Sequence, residues 1–269
     1  MKSRTRHLNT VFAAILLAAW MAPNAQALDS EIEAQMEADK TGTNPMNFTF
    51  DARLYNETQW LNNSGDGTQN IQTAEFRAPF AGGKWQFRGK ARGVDLNNNL
   101  GGARDVDTYG MGDMDLRFMT LPYMKNFAVA TGVEFFLDTA SQDALGSGAD
   151  SVGPFVFLGI FNPIGKGSIF VPGYQHIISF NEDAGRNNVA QGLIDMFLVK
   201  TWANNRYWGY IDPQILLDYE NNREYMLLEI QAGMMTDKKG HSVYVMPSLG
   251  VGTDRPYDWS LEAGYKIVW

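Results

Sequence analysis

Apolar and polar residues alternate along most of the chain with a period of two. Phe48, Phe50, Ala52 and Leu54 alternate with Thr49, Asp51, Arg53 and Tyr55. Trp85, Phe87, Gly89, Ala91 and Gly93 alternate with Gln86, Arg88, Lys90 and Arg92, and Met114, Leu116 and Phe118 with Asp113, Asp115 and Arg117. Near the other end, Leu261, Ala263, Tyr265, Ile267 and Trp269 oppose Glu262, Gly264 and Lys266, with Val268 breaking the polar side. Successive side chains of a strand point to opposite faces, so this period predicts strands with one apolar and one wet face. Clusters of Gly, Asn, Asp and Pro divide the chain into twelve such segments, beginning near 46, 72, 84, 109, 126, 152, 167, 191, 206, 223, 241 and 257.

The arrangement of these segments predicts an all-β fold, a transmembrane antiparallel up-and-down β-barrel of the bacterial outer-membrane type. An even strand number brings both ends to one side of a membrane. The connections alternate between longer polar stretches (61–70, 95–108, 139–151, 181–190) and tight ones (81–84, 121–126, 162–167, 203–206, 236–240), as long outer loops and short periplasmic turns require. Aromatic residues such as Trp60, Phe80, Trp85, Trp202, Tyr207, Trp259 and Trp269 gather near segment ends, where two interfacial girdles would draw them. A soluble β-sandwich shares the alternation.

The first residues favour the barrel. Lys2, Arg4 and Arg6 precede an apolar run from Val11 to Ala22, and Ala25-Gln26-Ala27 supplies small residues for cleavage, so residues 1–27 read as a signal peptide of an exported protein. Residues 28–45 form an acidic segment, and 46–269 the barrel. Removing 1–27 lowers Lys plus Arg from 22 to 19 against 30 acids, a net charge of about −11, which disfavours nucleic acid as a partner. The chain has no cysteine, hence no disulfide and no thiolate metal site. No cofactor and no metal is expected. Tyr265, Ile267 and Trp269 resemble the terminal signal by which outer-membrane barrels are recognised for insertion, which implies the barrel-assembly machinery, membrane lipid and lipopolysaccharide as partners.

A wider resemblance covers nearly all of the chain after residue 27. The blocks TNPMNFTFDARLYNET, GDGTQN, GMGDMDLRF, DALGSGADSVGP, SFNEDAGRNNVAQ, YWGYIDPQILLDYE and RPYDWSLEAGY, in this order, resemble the outer-membrane porin or transporter family filed under the MetA pathway of phenol degradation. That resemblance implies a barrel that passes small molecules.

Parity selects the lumen residues. Arg53, Arg77, Arg88, Lys90, Arg92 and Arg117 face inward with Asp51, Glu75, Asp113 and Asp115, and Asp212, Asp218, Glu229 and Glu262 lie across the barrel. Twelve strands place the bore between filled eight-stranded barrels and open sixteen-stranded porins. One reading makes Arg88, Lys90 and Arg92 a basic ladder for anions, within a channel for passive uptake of small, aromatic or anionic solutes. The other locks the ladder against Asp113 and Asp115, and for the ladder the adjacency of the acids favours the lock; for the chain as a whole the channel is the reading, with a filled barrel of structural or adhesive role as the alternative.

Other features carry less. A short helix from Asp29 to about Lys40, capped by Asp29 or Ser30, would serve as a lumen plug or, the safer reading, a periplasmic tail. A lipid-hydrolysing Ser-His pair is disfavoured, because His176 and Ser179 have opposite parity and His241 adjoins Ser242, and no enzymatic activity is expected. Asp138, Asp143 and Asp150 read as a solvated turn rather than a calcium loop. Pro154, Pro172, Pro213 and Pro247 fall inside predicted strands and remove ladder donors that a closed barrel needs.

Overall fold

The computed structural model describes residues 30–62, 67–98, 106–183, 185–186, 188–236 and 239–269; the expected signal peptide, residues 1–27, and the expected Asp29 cap lie outside them. A helix, α1 (Ser30–Ala38), precedes thirteen strands: β1 (Asp51–Leu61), β2 (Thr68–Phe80), β3 (Trp85–Asn98), β4 (Val106–Met111), β5 (Met114–Met124), β6 (Phe127–Leu137), β7 (Ala149–Phe161), β8 (Ser168–Glu182), β9 (Ala190–Trp202), β10 (Tyr207–Asp218), β11 (Arg223–Met235), β12 (His241–Val251) and β13 (Tyr257–Val268). Every pairing is between antiparallel neighbours, and β1 closes the ring by bonding both β2 and β13.

The staves nevertheless number twelve. β4 and β5 both pair with β3, through Gly93 opposite Met111 and Lys90 opposite Asp115. Three steps on β3 are thus matched by four on its partner, which places a bulge at Gly112-Asp113 inside one stave. Closure leaves no free edge, the condition a sheet must meet to cross hydrocarbon.

The alternation read in the sequence becomes the two faces of the wall. Leu54, Val156, Ile211, Val245 and Leu249 stand exposed on the outside. Stacked rings mark both rims: Trp60 on Trp259 at 3.6 Å on the side of the long loops, and Phe50 on Trp269 at 6.4 Å with Trp202 on Tyr207 at 6.3 Å on the side of the tight turns. An apolar belt between aromatic rims is the profile of a bilayer-spanning barrel.

The four prolines share one solution. Pro154, Pro172, Pro213 and Pro247 keep continuous pairing with one neighbour (Val133, Met196, Leu228 and Leu261). Each lies where the ladder to its other neighbour is interrupted. A strand residue directs its N–H to one side only, so the missing donor opens one ladder and leaves the other intact.

The first strand begins at Asp51 rather than near 46, because residues 39–48 leave the sheet and enter the bore. Met46, 1% exposed, packs among Met119, Ala128, Ala130, Phe155, Phe157, Ile169, Val171 and Val199 at the turn end of the lumen, with Phe48 beside it. Gly159 leaves room for it: a Cβ there would come 2.9 Å from Met46 Cγ. The helix sits at the turn-side rim, where Asn205 donates to the Ala38 carbonyl at 3.1 Å and Lys166 reaches Glu31 at 3.3 Å.

Candidate functional site: the charged lumen

Inward positions near mid-strand bring together a cavity of about 460 Å³. Its densest feature is an ion lattice on β1, β2, β3, β5 and β6. Arg53 Nε lies 2.9 Å from Asp51 and 3.6 Å from Glu75; Arg77 Nε lies 2.6 Å from Glu75, and Lys90 Nζ 3.6 Å from it. Arg92 Nη2 donates to Asp115 at 2.5 Å, and Arg88 stands 3.5 Å from the same carboxylate. Glu134, buried on β6, accepts from Arg88 on one oxygen, and on the other from Arg117 Nη2 at 2.5 Å and Gln175 Nε2 at 3.1 Å. Six bases therefore share four acids. Buried charge persists only when paired or watered, and the shared carboxylates supply the pairing.

The far wall differs. Asp195 on β9, Asp212 on β10, Glu229 on β11 and Glu262 on β13 line the same cavity. Glu262 accepts from Tyr244 Oη at 2.7 Å, and Asp212 Oδ2 from Gln214 at 2.9 Å. Among the described lining residues, β9 to β12 carry no Lys or Arg.

Both ends of the cavity are narrowed by chain. At the turn end Arg53 Nη2 donates to the Gly42 carbonyl at 2.6 Å and Lys266 Nζ to Thr43 Oγ1 at 3.2 Å, holding residues 39–46 across the bore. Lys266, 1% exposed, also lies 4.8 Å above the Trp208 ring, which itself packs over Gly233, where a Cβ would come within 2.1 Å. At the loop end, Leu145 packs inward on Val94 and Leu96. That loop is anchored by Asp113, whose carboxylate accepts from the backbone N–H of Thr139 and Ala140 at 3.3 Å each and from Ser147 N and Oγ at 2.7 and 2.8 Å.

Comparison with solved structures gives the architecture a place. The chain is similar to the COG4313 outer membrane channel from Pseudomonas putida F1 (TM-score 0.63, 12% identity, covering 82% of this chain and 95% of that one). It is also similar to the NanC porin (TM-score 0.55, 9% identity, 82% and 98%) and the KdgM porin (TM-score 0.51, 8% identity, 81% and 99%). The fold is a closed antiparallel twelve-stranded β-barrel of the outer-membrane type. At these identities the likeness extends to the fold alone. No protein-family model and no curated protein matches the chain.

Within that fold, Asp51 is held against Arg53, Asp218 accepts from the backbone of Glu220 and Asn221 in its turn, and eleven of the fourteen charged residues assigned inward by parity, among them Arg53, Arg77, Arg88, Lys90, Arg92, Asp115 and Arg117, line one cavity. Asp113 does not. Only its backbone carbonyl meets the ladder, from Arg92 Nη1 at 2.8 Å, because the bulge turns its side chain to the loop at 139–147. Glu134, Gln175 and Asp195 had the parity of lumen residues, but nothing local in their segments distinguished them. Met46 and Leu145 lie outside regular strands, where alternation carries no information. Tyr265 is exposed on the outer wall, as is Trp269. His176 lies 3.0 Å from Tyr174 Oη, while Ser179 donates to Glu182 at 2.5 Å. His241 bonds Tyr265 rather than a serine.

Proposed function

We propose that this protein is a bacterial outer-membrane channel that passes small solutes through the charged lumen, with Arg53, Arg77, Arg88, Lys90, Arg92 and Arg117 setting selectivity together with Asp115. The observation that carries this reading is the cavity of about 460 Å³ at mid-barrel, walled by ionisable groups. A barrel filled by its own ion lattice would leave no space at mid-bore, whereas here the cavity lies between the paired lattice and a facing acidic wall of Asp195, Asp212 and Glu229. The sequence blocks that resemble the phenol-degradation MetA-pathway family are in keeping with passage of small molecules, and the basic ladder of Arg88, Lys90 and Arg92 with a cargo that carries an anionic group. On this reading residues 1–27 direct export and are removed, and Tyr265, Ile267 and Trp269 present the insertion signal to the assembly machinery. Asp113 acts on the loop and, through it, on the entrance.

The segment around Met46 favours a second state in which the same barrel is plugged at its turn end. Single-channel recording of the refolded protein in a planar bilayer, under a potassium chloride gradient, separates the two. Discrete steps with a measurable reversal potential are expected. Stable insertion without conductance, restored on deletion of residues 28–45, would assign the resting state to the plug; silence in both forms would overturn the channel reading.

A further inference from the structure

The charges around the cavity are sorted by side. Arg88, Lys90 and Arg92 rise along β3, and Asp195, Asp212 and Glu229 face them from β9, β10 and β11. Neither wall is saturated. Asp212 is 6% exposed, and its Oδ1 has no hydrogen-bond partner among the described residues; the same is true of Asp195 Oδ1. The two carboxyl groups lie within hydrogen-bonding reach of one another, on adjacent strands where Asp195 stands opposite Gln214, two residues from Asp212. Two carboxylates so close require a proton or a cation between them, and an ammonium offers three donors of the right sign. On the other wall Lys90, its side chain 20% exposed, stands no closer than 3.6 Å to a carboxylate, so its ammonium keeps donors for an anion.

A simple anion bound at the basic wall would leave the buried carboxylates unanswered, and a simple cation would leave the Lys90 donors so. We propose that the lumen selects small amphoteric solutes, whose anionic end meets Arg88, Lys90 and Arg92 while an ammonium end meets Asp195 and Asp212. This rests on the channel reading above and names its class of cargo. A cavity of about 460 Å³ accommodates such a molecule with water around it.

Uptake of radiolabelled β-alanine, propionate and propylammonium into proteoliposomes carrying the refolded full chain tests it, because the three probes differ in charged ends at nearly constant size. β-Alanine is expected to enter about tenfold faster than propionate, the effect of one charge-assisted contact. The double substitution Asp195→Asn with Asp212→Asn should bring that ratio close to one. The single change Asp212→Asn serves if the pair fails to fold, as judged by heat-dependent gel mobility. Propionate entering as fast as β-alanine, propylammonium entering fastest, or a ratio untouched by the substitutions would each overturn the assignment while leaving a channel. Entry of no probe, with no conductance, would overturn the channel reading itself and the assignment with it.

Discussion

Replacing Glu134 by Gln removes the one carboxylate on which Arg88 and Arg117 converge. One oxygen of Glu134 accepts from Arg88, and the other accepts from Arg117 Nε at 3.0 Å, Arg117 Nη2 at 2.5 Å and Gln175 Nε2 at 3.1 Å. A glutamine keeps the shape, but its amide nitrogen must face a donor whichever way it turns, and the negative charge is gone. Breaking a buried pair by deleting one partner costs about 3–5 kcal/mol. The side chains of Arg88 and Arg117 retain 12% and 21% exposure against 2% for Glu134, so lumen water offsets part of the loss. The expected destabilisation is therefore about 3 kcal/mol. Equilibrium urea unfolding in lipid vesicles, followed by tryptophan fluorescence, reads it directly, and a double-mutant cycle with Arg117→Leu isolates the pair. The substitution also removes one negative charge from the bore, so the reversal potential should move toward anions. A loss below about 1 kcal/mol, the range of solvent-screened pairs, would refute the lattice as a buried structural unit.

Met46→Ala should destabilise the protein by about 2–4 kcal/mol by emptying the apolar pocket at the turn end, and should raise conductance if the segment narrows the bore; equal conductance would place the restriction elsewhere. Asp113→Ala removes four hydrogen bonds from the loop, and a local loss of about 2 kcal/mol predicts protease cleavage within 139–147 about thirtyfold faster. An unchanged rate would show that Leu145 holds the loop alone. Asp138, in that loop, has its pKa raised by desolvation and by the neighbouring Asp113, Asp183 and Asp150. Because the folded loop favours the protonated acid, its contribution to stability is present below the ordinary aspartate pKa and lost as pH rises through the raised value. Cleavage should accelerate over that interval in the native protein, and Asp138→Asn should flatten the profile; a flat native profile would sink the claim.

Much of this molecule was determined by short-range pattern. The period of two at Trp85–Arg92 and Leu261–Trp269 decided which residues face lipid and which face the bore, because side-chain direction in a strand depends only on position along it. The same rule placed Arg88, Lys90, Arg92, Asp115 and Arg117 on one surface before any partner was known. It failed at Asp113, where one extra residue against β3 ends the simple count, a change that arises from pairing between strands.

Tertiary structure alone decided the partners. Arg88 meets Glu134, 46 residues away, because the register of β3, β5 and β6 aligns them; no local signal encodes the stagger of a closed sheet. The acidic segment allowed a plug or a tail, and nothing in it pointed to Met46 as the residue that fills the bore, since that burial depends on the gap left by Gly159, Ala128 and Ala130 on distant strands. The prolines show the same division. Proline inside a strand opposes closure by local rule, yet each of the four loses a donor on one side only, and which side is a matter of sheet topology. Alternation is written residue by residue, whereas register, bulges and the packing of a bore are properties of the closed ring.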